Sequence, residues 1–270
     1  MSGPTTRRSN PARRPVAFRD ANQAVHCGTM PRRSKQEPLP MCGRYVIAGT
    51  TELSERFQLR QIPAELFPTW NAAPSQELPV IVGRPDGGVE VRFMQWGLLP
   101  RWRREGQRSL APINARAETL LEKPMFRGLV PGQRCIVPVD GFFEWRALDG
   151  RKQPYYITSR DGALWGLAGL YDESPGPHGE PVASYTIITT AANDMLRPLH
   201  ERMPVILRRD DEAEWLDRAE TDPRAVEQLL LPYPDDRIEL WPVSTAVNNV
   251  RNNAPELIRP AERQPGLLDG

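Results

Sequence analysis

Cysteine is scarce, with three in 270 residues and no paired spacing. That excludes a disulfide framework and argues against a zinc ribbon. No apolar run approaches the ~20 residues that cross a bilayer; the longest extends only from Ala163 to Tyr171. No apolar signal core is present, which argues against secretion and for a cytoplasmic protein. No glycine-rich phosphate loop stands between a strand and a helix, and no internal repeat is visible. Net charge is only +1. Apolar residues at 39% and charged residues at 26% exclude a chain that is disordered throughout or collagen-like. Proline is the exception to this scarcity: its 29 residues are about twice the usual ~5% share and favour short strands and turns over long helices.

The small net charge conceals an asymmetry. Residues 1–40 carry seven Arg and one Lys against Asp20 and Glu37, a net of +6, which leaves −5 for residues 41–270. With six prolines and no apolar periodicity, this stretch is expected to be disordered. Its proline content is unsuited to the amphipathic helix of a transit peptide. A basic tail of this kind can touch nucleic acid. The plainer reading is upstream sequence ahead of a start at Met41, where a globular pattern begins abruptly. The expected organisation is therefore an extension over 1–40, a catalytic domain over 41–262 and a flexible tail over 263–270.

From Met41 onward the pattern is mostly strand. A short helix is expected over Thr51 to Phe57, capped by Thr50 or Thr51. Pro-rich coil follows through Trp70-Asn71-Ala72-Ala73-Pro74. Leu78 to Val82 and Val89 to Met94 flank Arg84-Pro85-Asp86-Gly87-Gly88, a hairpin signature. Further strands are expected at Arg134 to Val139, Phe142 to Trp145, Tyr155 to Thr158, Leu164 to Leu170, Ser184 to Thr190 and around Glu239 to Val243. Helices are expected at Asp210 to Ala219 and Pro223 to Leu231. Strands that follow one another through hairpin turns predict an α+β fold. Its curved, mainly antiparallel sheets would form a barrel-like core with short peripheral helices.

Several residues suggest chemistry. Cys42 follows a methionine. Were Met41 the start and then removed, Cys42 would carry a thiol and a free α-amine on adjacent carbons. An α-amine titrates near pH 7.7–8.0, so part of it is nucleophilic at neutral pH. With an aldehyde, a 1,2-aminothiol forms an imine that the sulfur closes into a thiazolidine. The alternative for Cys42 is a small buried hydrophobe, which suits Cys135 well. Glu144, in Gly141-Phe142-Phe143-Glu144-Trp145, is a carboxylate among aromatics. Desolvation there would raise its pKa and fit it for general acid work, unless an arginine pairs with it. Asn114 and Arg116, two apart, share a face if the segment is extended; the alternative is a helix start capped at Asn114. His200, before the apolar strand Val205-Ile206-Leu207, is either structural or catalytic. Trp96 and the arginine-rich run from Arg101 to Arg108 around Trp102 offer phosphate forks and stacking faces, or else a solvated basic loop.

Together these residues resemble the SOS-response-associated peptidase family of abasic-site-processing proteins that crosslink to DNA. Met41-Cys42-Gly43-Arg44-Tyr45, Trp70 to Gln76 and Trp96 to Pro100 occur in the family's order. So do Ile113 to Thr119, Gly141 to Trp145, His200 to Leu207 and Val243-Ser244 with Val247-Asn248. The resemblance implies a cleft for single-stranded DNA and a Cys42 that condenses with the aldehyde of an abasic site. It implies catalytic roles for Cys42, Asn114, Glu144 and His200, and contacts to phosphates or the opened sugar from Arg44, Arg116 and Arg202; Asn71, Trp96 and Trp102 are expected to touch DNA beside them. It implies no metal, no cofactor and no membrane, with the protein on the nucleoid when engaged. Peptidase and abasic-lyase side activities are expected with it. Two other classes remain: an N-terminal-nucleophile cysteine peptidase or amidohydrolase with His200 as base, and a non-catalytic single-strand-binding module.

Overall fold

Consecutive apolar runs separated by Asp-Gly and Pro/Gly punctuation fold here as sheet. The computed structural model describes residues 43–59, 66–102, 111–148, 150–175 and 180–261, all within a compact unit spanning Leu39–Gly270. Its strands are β1 (Tyr45–Ile47), β2 (Thr69–Ala72), β3 (Glu77–Gly83), β4 (Val89–Trp96), β5 (Asn114–Arg116), β6 (Arg134–Val139) and β7 (Gly141–Leu148). They continue as β8 (Arg151–Ser159), β9 (Trp165–Pro175), β10 (Pro181–Ala191), β11 (Arg202–Pro204), β12 (Ile206–Leu207) and β13 (Ile238–Pro242). The helices are short: α1 (Thr50–Arg56), α2 (Pro124–Arg127), α3 (Glu212–Leu216) and α4 (Pro223–Glu227).

Pairing between β9 and β10 closes the path β10-β4-β3-β6-β9 into a five-stranded barrel. A second sheet runs β13-β8-β7-β1-β2. Its inner face sends Tyr45, Ile47, Phe142 and Ile157 into the main core. Its outer face sends Val46, Phe143 and Tyr156 into a smaller cluster with Val243, Val247 and Leu257. A sheet buried on both faces explains why Tyr45-Val46-Ile47 and Phe142-Phe143 read as unbroken apolar runs. Antiparallel pairing dominates, the exceptions being β4 and β5, which both run parallel to β10.

The fold class and the barrel-like core match the expectation from sequence. The differences are local. Trp70 to Ala72 is strand β2 rather than coil, paired with β1 from Tyr45↔Ala72 to Ile47↔Thr69. The N-cap of α1 is Gly49. The Asp140 carboxylate accepts from the N–H groups of Ala48 and Gly49 at 2.5 and 3.2 Å. The helix expected through Ala219 stops at Leu216 because Asp217 is extended. The buried Arg134 side chain collects the freed carbonyls, donating to Trp215, Asp217 and Glu220 as well as Val130. The longest apolar stretch lies largely in the interior strand β9. Among the described residues, no helix is long and apolar enough to cross a membrane.

Candidate functional site

Polar side chains gather around the C-terminal end of β10. On one side β5 places Asn114 opposite Ile187 and Arg116 opposite Thr189. Ala115 between them is buried and Arg116 is exposed, the alternation expected of an extended segment. On the other side β11 places Arg202 opposite Ala191. The Arg202 guanidinium reaches back across β10. Its Nη2 donates to the Thr189 carbonyl at 2.6 Å and its Nε to Thr189 Oγ1 at 3.3 Å. Nη1 and Nη2 also grip the Glu118 carboxylate at 3.0 and 2.8 Å. Arg202 thereby holds the Glu118 carboxyl below its ordinary pKa. The backbone N–H of Arg202 donates to His200 Nδ1 at 3.1 Å. A ring nitrogen that accepts carries no proton, so the neutral His200 ring keeps its proton on Nε2. Burial lowers the His200 pKa, opposed by Glu201 and aided by Arg202.

A second group lies on the other sheet. Glu144 on β7 is 5% exposed and stands opposite Tyr155 on β8. Its sequence neighbours face away from it, with Phe143 in the outer cluster and the Trp145 indole donating to Asn248 Oδ1 at 2.7 Å. The rings on its own face are Phe142 and Tyr155. Arg44 Nη1 donates to Asn71 Oδ1 and to the Val247 carbonyl, both at 2.9 Å. Burial lowers the pKa of this guanidinium. Phe143 N donates to Arg44 O at 3.0 Å. With Tyr45 opposite Phe142, the same antiparallel register continued outward sets Gly43 against Glu144. Cys42 itself lies outside the described residues.

Aromatic rings join the two groups. Tyr45 and Tyr185 share a hydroxyl hydrogen bond of 2.7 Å. The Trp96 ring lies 5.0 Å from Tyr45 and stacks on Tyr185 at 6.4 Å, while its indole donates to Ile113 O at 3.1 Å, next to Asn114. Trp96 thus links the β1 strand behind Arg44 to the residue that precedes Asn114.

Two of the residues expected at DNA, Trp96 and Asn71, are buried in this packing. Trp96 is 0% exposed, so no base can stack on it; it is the core joint between the sheets. Asn71 is 2% exposed, and its amide is spent on the carbonyls of Val247, Asn249 and Asn252. Its Oδ1 in turn accepts from Arg44. Trp102 is 61% exposed but stands apart from the cluster. Its neighbour Arg101 is fixed to Asp172, which pairs with Ser184. Ser184 lies about 17 Å along β10 from Thr189 at ~3.3 Å per residue. Residues 103–110 lie outside the described residues, and with them most of the basic run. Nothing in the sequence singles out Glu118 or Thr189. Glu118 stands inside a motif, but nothing in its spacing announces a partner 84 residues away. Among the described residues, no group of three or more His, Cys, Asp or Glu could hold a metal ion.

The family model described as SOS response associated peptidase (SRAP) matches residues 41–250. The chain belongs to the SRAP family. Among its relatives is the abasic site processing protein YoqW of Bacillus subtilis, 41% identical over 223 residues, covering 81% of this chain and 99% of that one. The abasic site processing protein HMCES of Gallus gallus is 37% identical over 226 residues, covering 72% of this SRAP chain and 67% of the relative. A crystal structure of a Bacteroides thetaiotaomicron protein superposes with a TM-score of 0.74 at 27% identity, covering 82% of this chain and all of that one.

Proposed function

We propose that this SRAP protein processes abasic sites in single-stranded DNA by forming a covalent link through Cys42 once Cys42 is the mature N-terminus. The observation that carries the proposal is the β1–β7 register. It leads the chain from Arg44 through Gly43 toward the buried Glu144, and Cys42 is the next residue.

The chemistry follows from these groups. The abasic sugar opens when its C1′ hydroxyl loses a proton and its ring oxygen gains one. Glu144 takes the first and returns the second. The Cys42 amine adds to the C1′ aldehyde and water departs, leaving an imine. The thiolate then closes on C1′ and the imine nitrogen takes the proton, giving a five-membered thiazolidine. Asn114 orients the N-terminal residue. Neutral His200 points an Nε2–H donor at a sugar oxygen. Arg116, exposed at the end of β5, and Arg44, whose hydrogen bonds to other described residues use Nη1 alone, meet phosphates. An imine at C1′ also acidifies C2′–H, so strand cleavage by β-elimination accompanies slow ring closure. A thiol-peptidase mechanism would need His200 as a base, and its bond to the Arg202 N–H speaks against that.

Incubation with single-stranded DNA containing one abasic site tests the proposal. The expected result is a band that survives denaturation and is lost in Cys42→Ser. Salt-sensitive retention without a covalent band would leave only a binding module, and cleavage of a peptide amide without DNA attachment would favour the peptidase.

A further inference from the structure

The mechanism above does not use Glu118, yet its carboxylate takes two of the donors of Arg202. Two more go to Thr189, so four of the five guanidinium N–H groups are committed. An arginine held this way is not a free arm for a phosphate. It is a strut that crosses β10 and ties β11 to the turn after β5. What the strut immobilises is the residue whose backbone N–H points at His200 Nδ1.

The geometry points to Glu118 as a positioning residue that acts through Arg202 to hold His200 in its Nε2–H tautomer, so that the ring offers the sugar a hydrogen-bond donor instead of a base. The placement of His200 at the sugar rests on the proposed function. The tautomer does not, being a property of the protein without DNA. A neutral imidazole donor stabilises charge developing on an oxygen without giving up its proton. That division of labour leaves the proton transfers to Glu144. It also explains why a half-exposed carboxylate is matched so fully to a guanidinium, a pairing that on an open surface would contribute little.

Nitrogen-15 NMR of the histidine rings in the full chain near pH 7.5 tests this directly. The chain has three histidines, and the His200 signals are those lost in His200→Gln. The expected spectrum shows His200 as one neutral tautomer with Nε2 protonated. Glu118→Gln retains a carboxamide oxygen for the guanidinium and should keep that tautomer. Glu118→Ala frees the strut and should give a mixture. Crosslinking to abasic single-stranded DNA should follow the same order, with Glu118→Gln close to wild type and Glu118→Ala slower. A wild-type ring protonated on Nδ1 would overturn the tautomer assignment. A Glu118→Ala ring still uniformly protonated on Nε2 would show that the β10–β11 pairing alone holds the Arg202 N–H, and would overturn the role of Glu118. Loss of crosslinking in wild type with the tautomer intact would count against the proposed function and not against the strut.

Discussion

In the proposed mechanism Glu144 and His200 act through their protons, and each can be tested without moving the backbone. Glu144→Gln keeps shape and removes the titratable proton. It should slow crosslinking by about 10²–10⁴-fold, the usual contribution of a general acid–base group, while single-strand affinity stays within about twofold. Rate measurement at saturating DNA checks this, and a wild-type rate would make Glu144 a structural carboxylate. For His200 the lowered pKa fixes the sign of a stability effect. The unfolded ring takes its second proton near pH 6.5, above the folded ring, which must first break the Arg202 N–H bond. Stability from this site is therefore complete above about pH 6.5 and declines as pH falls toward the folded pKa. The Tm of wild type relative to His200→Gln should drop between pH 7.5 and pH 5.5, whereas a constant difference would mean that folding does not lower the His200 pKa.

Strand pairing decides which arginines are available. Arg116 is exposed and forms no ion pair with a described residue. Arg116→Ala should lower single-strand affinity and flatten its salt dependence by about 0.7 in log–log slope, one phosphate contact. Filter binding across a salt series reads this; an unchanged slope would remove Arg116 from the DNA path. Arg134 belongs to the element scale in a different sense. It is 4% exposed and donates to carbonyls from two segments. Arg134→Ala strands those acceptors in the interior and should cost about 3 kcal/mol or more in urea unfolding, each unsatisfied buried group costing ~1–3 kcal/mol. Arg134→Lys should rescue little, because an ammonium cannot span the fork. Sequence made the strands legible because alternation and turn residues are local. Leu78 to Val82 and Val89 to Met94 lie on either side of a turn in which Gly87 has a positive φ of 80°, as the Asp-Gly-Gly run required. It did not show β2, whose partner β1 is over 20 residues away, nor the early end of α3, which depends on Arg134 some 80 residues earlier. The same limit hid the true state of Trp96 and Asn71. Their motif residues were visible, but burial against Tyr185 and the 247–252 loop is a long-range fact.

At the scale of the whole molecule, what precedes Cys42 decides whether the proposed chemistry is open to it. In the 270-residue chain its nitrogen belongs to a peptide bond with Met41. An amide nitrogen is not basic and cannot form an imine. Thiolate addition alone gives a hemithioacetal, which reverses on denaturation. A chain expressed from Met41 should therefore crosslink after loss of its methionine, which the small Cys42 side chain permits. The 270-residue chain should crosslink only in the fraction that intact mass shows cut before Cys42. The net +6 of residues 1–40 sharpens the comparison. Uncut chain should retain single-stranded DNA at low salt at least as well as the shorter one, since added cations strengthen the salt-sensitive part of binding. Binding and bonding would then separate, with the longer chain holding DNA without capturing it. A denaturation-resistant, Cys42-dependent adduct on uncut protein would rule out the thiazolidine.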